Sequence, residues 1–97
     1  MKSINQDALQ DIRDAVDWYN FKTNGLGNEF KKQAISKINS LKKNPSIYTI
    51  LYTDVRCLLI KNYPFLVHFT IDETNSLEKV FAIFHTSRNP RIWQERL

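Results

Sequence analysis

Residues 65–72, Phe-Leu-Val-His-Phe-Thr-Ile-Asp, decide how this chain folds. Every second residue in this stretch is apolar: Phe65, Val67, Phe69 and Ile71. A period of two is typical of a β-strand that is buried on one face. We therefore predict a strand here, with His68 on the opposite face as a half-buried, hydrogen-bonded side chain.

The residues around this strand predict an antiparallel sheet. β-branched and aromatic residues favour further strands near 48–52, 56–61 and 77–85. Pro64 separates the second strand from the third because proline cannot donate to a ladder, and residues 72–76 form a polar hairpin loop. The sequence therefore predicts a meander of three or four strands.

Before residue 45 the apolar period is that of an amphipathic helix. One stripe predicts a helix from Ala8 with Asp7 as N-cap, and a second predicts a helix over 28–43. Residues 23–27 contain the only glycines and predict the turn of an antiparallel helix hairpin. We expect Trp18 and Tyr19 to pack between helix and sheet. Residues 90–97 predict a short C-terminal helix that begins at a proline.

Together these elements predict a single α+β domain over residues 1–97. An N-terminal antiparallel helix hairpin packs on a three- to four-stranded antiparallel sheet, and a short helix follows. The length, 97 residues, is that of one small domain, and 42% apolar residues are enough to build a core.

Composition also bears on location and chemistry. The N-terminus has no apolar signal stretch and the chain has no run long enough to cross a bilayer, so we expect a cytoplasmic protein without membrane contact. Cys57 is the only cysteine and lies in an apolar segment, which favours a buried structural thiol. We expect no cofactor and no metal.

Positive charge is concentrated in the middle of the chain. Residues 1–30 carry a net charge of −2 and residues 31–61 a net charge of +6. The polar face of the second helix holds five lysines: Lys31, Lys32, Lys37, Lys42 and Lys43. Such a surface is attractive to RNA, to DNA or to an acidic protein, or it is simply solvated.

Four stretches in this order resemble the RelE/ParE family of bacterial type II toxin-antitoxin toxins. Residues 8–12 and 15–19 resemble the family's first helix, and 25–30 its inter-helix turn. Residues 41–45, 54–56 and 63–65 resemble the entry to its sheet. Residues 84–90, Phe-His-Thr-Ser-Arg-Asn-Pro, followed by Trp93, are similar to its C-terminal signature.

The resemblance implies the fold predicted above and the role of a growth-inhibiting toxin, of the kind used in plasmid stabilisation, that a cognate antitoxin neutralises. RelE-like members cut messenger RNA on the ribosome, whereas ParE-like members act on DNA gyrase. A homodimer or a heterotetramer with antitoxin fits either role. The family's first strand is short or missing here, since Ile4 is the sole apolar residue before Asp7. We therefore expect an open sheet edge to which an antitoxin strand or a second copy adds.

For a ribonuclease, the resemblance points to Arg56, Lys61, His85 and Arg88 as catalytic residues. Metal-free cleavage needs a base for the ribose 2′-hydroxyl, cations for the phosphate and an acid for the leaving oxygen, and these side chains supply all three. For binding to a target or antitoxin, the candidates are the basic and aromatic residues Arg56, Lys61, Arg88, Arg91 and Trp93.

Two departures from ribonuclease members favour the ParE-like reading. Such members carry a basic residue at the opening of the third strand and a tyrosine beside the terminal histidine, whereas this chain has Phe65-Leu66 and Thr86-Ser87 there. The sequence thus favours a non-catalytic gyrase inhibitor, with a ribosome-dependent mRNA endonuclease as the alternative.

Overall fold

Two helices and a sheet follow one another as predicted. The computed structural model describes residues 2–41 and 43–97, and of Lys2 the backbone alone. The elements are β1 (Lys2–Ile4), α1 (Gln6–Lys22), α2 (Leu26–Ser40), a 3₁₀ turn (Pro45–Ile47), β2 (Ile50–Tyr52), β3 (Val55–Leu59), β4 (Phe65–Asp72), β5 (Leu77–His85) and α3 (Pro90–Gln94).

Helix α1 begins two residues earlier than predicted. Asn5, and not Asp7, is the N-cap: its side-chain oxygen accepts a hydrogen bond of 2.8 Å from the N–H of Ala8. The predicted stripe is buried through Ala8, Ile12, Ala15 and Tyr19. Trp18 was expected in the core but is 55% exposed, because it lies at the edge of that stripe, where it stacks on Lys22.

Helix α2 starts after a glycine that the turn requires. Gly25 has φ +88°, a conformation that side chains of L-residues rarely adopt, and the helix follows at once. Gly27 is buried against α1, and its N–H donates to Oδ1 of Asn20 at 2.7 Å. The helix ends at Ser40 rather than Lys43. Lys42 lies outside the described residues.

The sheet has five strands in the order β1-β5-β4-β3-β2. The β2–β5 meander is antiparallel, and β4 and β5 have the bounds that the sequence predicted. The predicted α+β fold, with its helix hairpin and short C-terminal helix, is confirmed. The structure adds β1, which pairs parallel to β5 from Lys2↔Glu78 to Ile4↔Val80. The first strand is thus short but present.

A core lies on each face of the sheet. The larger one packs α1 and α2 on the sheet and contains a ring cluster of Tyr19, Phe30, Tyr63 and Phe65 with centroids 5.1–6.1 Å apart. The smaller one lies under α3 and contains the buried residues Val55, Phe81, Ala82 and Phe84. His68, expected to be half-buried, is 0% exposed because Trp93 and the surrounding rings cover it.

None of the helices in the described ranges has the length and hydropathy of a membrane span.

Candidate functional site

A small hollow opens where α1 meets the end of β5. It has a volume of about 190 Å³ and is called the His85 hollow below. Its lining comes from one side of α1, from β4 and β5 and from the segment after β5: Asp11, Asp14, Ala15, Phe65, Ile83, His85 and Arg88. The hollow therefore brings together two candidates from the sequence, His85 and Arg88, with two carboxylates that the sequence did not suggest.

The ring of His85 is held by the residues that follow it. The N–H of Ser87 donates to Nδ1 at 3.0 Å, and the Ser87 hydroxyl lies 2.7 Å from the same nitrogen. Phe65 packs edge-on against the ring at 5.2 Å between centroids. Because Nδ1 accepts from a backbone N–H, the neutral ring carries its proton on Nε2. His85 therefore presents a single N–H donor.

Asp11 and Arg96 form a two-pronged ion pair across the edge of β5, called the Asp11–Arg96 clasp below. The guanidinium donates from Nη1 to Oδ2 at 2.6 Å and from Nη2 to Oδ1 at 2.9 Å. Oδ2 also accepts from the N–H of Ile83 at 2.9 Å, and Nη1 lies 3.4 Å from the carbonyl oxygen of Phe81. These hydrogen bonds to Asp11 raise the pKa of Arg96 above its usual value.

The clasp covers the part of β5 that β1 leaves unpaired at the N-terminal edge of the sheet. β1 pairs with β5 only up to Val80, and the clasp then occupies the backbone groups of Phe81 and Ile83. Because these backbone groups are occupied, the stretch of β5 beyond Val80 is a poor template for another strand. The clasp escaped the sequence analysis because its two residues are 85 positions apart and each has an ordinary local explanation.

Arg56 lies away from the hollow and is already bonded. Its Nη1 donates to the carbonyl oxygens of Ser46 at 3.1 Å and Tyr48 at 2.6 Å. Arg56 pairs with Phe69 on β4, whereas His85 pairs with Phe65. Four residues of strand separate the two positions by roughly 13 Å along the sheet. These hydrogen bonds tie the Arg56 guanidinium to the segment that precedes β2, away from the His85 hollow.

The other cationic candidates are exposed. Lys61 follows β3 in the turn to β4, at the end of the sheet where Pro64 accepts from the N–H of Thr86. The guanidinium of Arg88 stacks over the Phe84 ring at 5.1 Å. Lys61 and Arg88 thus lie at the same end of the sheet as His85.

Helix α3 carries two of the predicted binding residues, Arg91 and Trp93, and places them in different environments. Asn89 caps it by accepting from the N–H of Arg91 at 3.0 Å, and Arg91 is exposed. Trp93 faces inward, with its ring 4.9 Å from His68 and 5.5 Å from Tyr52. Arg91 is therefore available to a partner, whereas Trp93 is mainly part of the smaller core.

Cys57 shares that core. Its Sγ lies 3.4 Å from Nδ1 of His68, and burial raises the pKa of the thiol to about 12. Because only a thiolate is strongly nucleophilic, this geometry fits the structural thiol that the sequence predicted.

Two of the five lysines, Lys31 and Lys32, are solvent-exposed on α2. They border an open groove of about 640 Å³, lined on this helix by Asn28, Lys31, Lys32, Ile35, Ser36 and Asn39. The groove combines one exposed aliphatic side chain with two ammonium groups. Its position on α2 separates it from the His85 hollow, which α1 and the sheet line.

Comparison with known proteins identifies the family. Residues 3–90 match the family model described as the ParE toxin of the type II toxin-antitoxin system, parDE. The chain belongs to the ParE toxin family. No curated protein matches the sequence of this ParE-family chain.

Solved structures agree on the fold. The chain of a chromosomal ParDE toxin-antitoxin system from P. aeruginosa superposes with a TM-score of 0.79 at 13% identity, covering 89% of this chain and 95% of that one. The isolated RelE toxin of E. coli superposes with a TM-score of 0.66 at 12% identity, covering 98% of this chain and 92% of that one. The ParE-family chain therefore shares its fold with toxins of both kinds.

The clasp makes a testable contribution to the stability of the ParE-family fold. We expect Asp11→Asn to lower the free energy of unfolding by about 2 kcal/mol, because a guanidinium only 24% exposed loses its counter-charge. Urea denaturation measures this. Asp14→Asn is the control, since Asp14 is exposed and accepts from the exposed Gln10 side chain, and it should cost less than about 0.5 kcal/mol. Equal losses in both variants would show that the clasp adds nothing.

Proposed function

We propose that this ParE-family toxin arrests growth by acting on DNA gyrase without cutting RNA, and that a cognate antitoxin neutralises it. It would act in the cytoplasm, where its target is. The observation that supports this best is the position of Arg56. The arginine that a ribonuclease would use on the scissile phosphate is bonded to the carbonyl oxygens of Ser46 and Tyr48, roughly 13 Å along the sheet from His85.

The charge of the His85 hollow supports the same proposal. Its lining contains the carboxylates of Asp11 and Asp14 beside the single guanidinium of Arg88. Asp11 is compensated by Arg96, whereas Asp14 is exposed and accepts from the neutral Gln10 amide, with no hydrogen bond to a cation among residues 2–41 and 43–97. An RNA phosphate bound in this hollow would lie beside a carboxylate. That carboxylate would repel the negative charge that develops on the phosphate during cleavage.

The mRNA endonuclease remains the second candidate because His85, Arg88 and Lys61 do lie at one end of the sheet. A histidine side chain can act as a general base in its neutral form or as a general acid in its protonated form, and metal-free cleavage needs both functions. The two candidates differ in what they require of His85.

The proposal predicts that His85→Ala remains toxic. Gyrase inhibition needs no proton transfer, so the variant should inhibit supercoiling by purified gyrase within about twofold of the parent chain. Primer extension on messenger RNA in a translating extract should show no cuts with either protein. Cuts within ribosome-bound codons that vanish with His85→Ala would overturn the proposal in favour of the endonuclease.

A second variant tests whether the surface around Arg88, one of the predicted target-binding residues, contacts gyrase. Arg88→Glu reverses an exposed charge at the hollow, and we expect it to weaken gyrase inhibition by about tenfold or more. Lys79→Glu is the matched control, since Lys79 is a 52% exposed cation toward the other end of β5. An equal loss with both variants would indicate a general effect of net charge, and no loss with Arg88→Glu would exclude this surface.

A further inference from the structure

The turn between α1 and α2 contains two neighbouring residues that can react with each other. Asn24 is followed directly by Gly25, and both are exposed. The amide carbon of an asparagine side chain is an electrophile, and the backbone nitrogen of the next residue is the nucleophile closest to it along the chain. Attack of that nitrogen on the carbon closes a five-membered ring. Asparagine is for this reason one of the chemically labile residues of proteins.

Neither of the two reacting groups is held by another part of the protein. In the part of the chain that the structure describes, the Asn24 side chain and the Gly25 N–H make no hydrogen bond. The hydrogen bond that spans the pair joins its neighbours, from the N–H of Leu26 to the carbonyl oxygen of Thr23 at 3.0 Å. A Cβ at Gly25 would meet nothing within 4 Å, so no side chain hinders the approach of Asn24 to the nitrogen.

The other asparagines of the chain lack this combination. Several have side chains that already accept or donate hydrogen bonds: Asn5, Asn20, Asn44, Asn75 and Asn89. Asn28 and Asn39 lie inside α2, where regular hydrogen bonds hold the backbone nitrogens. Asn62 lies in a turn, but the N–H of Tyr63 after it donates to the carbonyl oxygen of Ile60 at 3.1 Å. The structure therefore distinguishes Asn24 from the rest.

We propose that Asn24 is a site of spontaneous deamidation, and that this reaction destabilises the helix hairpin as the protein ages. The Gly25 nitrogen gives its proton to hydroxide and attacks Cγ of Asn24. An N–Cγ bond forms, the Cγ–Nδ2 bond breaks, and Nδ2 takes up a proton from water and leaves as ammonia. Water then opens the succinimide ring at either carbonyl, which leaves an aspartate or an isoaspartate at position 24. Water is the only co-reactant, and the inference does not depend on the target of the toxin.

Both products change the turn. Each adds a carboxylate next to the start of α2 and lowers the net charge of +4 by one unit. Isoaspartate also carries the main chain through its Cβ, which adds one atom to the backbone between Thr23 and Leu26, the two residues that the hydrogen bond joins. Gly27, directly after this turn, is packed against α1. A longer turn therefore disturbs the contact between the two helices.

Incubation of the purified full chain at about pH 6.5 and about pH 8.5, followed by peptide mapping, tests the reaction. Fragment spectra should place a mass gain of about 1 Da, the difference between an amide and an acid, on Asn24. The gain should appear about tenfold or more faster at the higher pH, because the attacking nitrogen must lose its proton. A chain whose Asn24 stays intact at both pH values would overturn the proposal.

Two variants test the selectivity of the reaction. Asn24→Gln should abolish the modification, because the longer side chain would have to close a six-membered ring. Asn62→Gln is the matched control, since it removes another exposed turn asparagine, and it should leave the rate at Asn24 unchanged. Modification of Asn62 in the parent chain as fast as that of Asn24 would overturn the structural argument.

Urea denaturation tests the effect on the hairpin. The parent chain aged at about pH 8.5 should have a urea midpoint about 0.3 M or more below that of the fresh chain. Fresh Asn24→Asp separates the two causes, since it adds the charge without the extra backbone atom, and it should keep the parent midpoint. An aged parent chain that also keeps this midpoint would show that the reaction does not disturb the hairpin. An equal loss in aged Asn24→Gln would assign the loss to other damage.

Discussion

Gly27→Ala is expected to cost about 3 kcal/mol or more of the free energy of unfolding, the largest effect of any change considered. A Cβ at this position would overlap the carbonyl oxygen of Val16 and stand 2.7 Å from Cγ of Asn20. The Val16 atom belongs to the backbone and cannot rotate away, and the Asn20 side chain is fixed by its hydrogen bond from the Gly27 N–H. Helices α1 and α2 would have to separate.

Gly25→Ala provides the comparison for this prediction. Nothing lies within 4 Å of a Cβ at Gly25, so its substitution introduces only the strain of φ +88°. That strain is worth about 1 kcal/mol. Urea denaturation of both variants separates the two causes, and equal losses would mean that the close approach of the helices is not what requires Gly27.

Acidification is expected to destabilise the protein through His68, by up to about 3 kcal/mol at pH 4. Burial among the rings of Tyr52, Phe84 and Trp93 lowers the pKa of His68 from 6.5 to about 4. Below pH 6.5 the unfolded chain therefore binds a proton that the folded chain does not. The stabilisation is complete above pH 6.5 and is lost between pH 6.5 and about 4, at up to about 1.4 kcal/mol per pH unit.

Urea titrations at several pH values between 5 and 6.5 measure this slope in a window above the ordinary pKa of carboxylates. His68→Leu should flatten the slope, although it also lowers stability at pH 7 because the Tyr52 hydroxyl loses its partner. His85→Gln is the control and should keep the slope. A slope that survives in His68→Leu would assign it to another group.

How far the sequence predicts this fold depends on how local each signal is. The bounds of β4 and β5 follow from an alternation of apolar residues and a polar turn, which short segments carry by themselves. β1 has one apolar residue in three, and what holds it is its pairing with β5, more than 70 positions away. Trp18 looked like a core residue because it precedes Tyr19, but a step of 100° around the helix turns it outward.

The residues of the candidate site also differ in how well the sequence predicted their positions. The residue types in the family's C-terminal signature led to His85 and Arg88, which the fold does bring into one hollow. Arg56 was also predicted from its residue type. Its hydrogen-bond partners, however, depend on where residues 46–48 lie relative to β3 in the folded chain. The strand register and the folded path of the chain decide that position, and neither is visible in the residues themselves.

The place of β5 in the sheet has a consequence for folding. β5 is the last strand along the sequence, yet it lies between β1 and β4 and meets Asp11 of α1, 72 positions before Ile83. The helix hairpin and the β4–β5 hairpin form from neighbouring residues, whereas joining them requires closure of a long loop, which is entropically costly and slow. During synthesis from the N-terminus, β1 and the inner face of α1 therefore have to wait for their partner strand until β5 has been made.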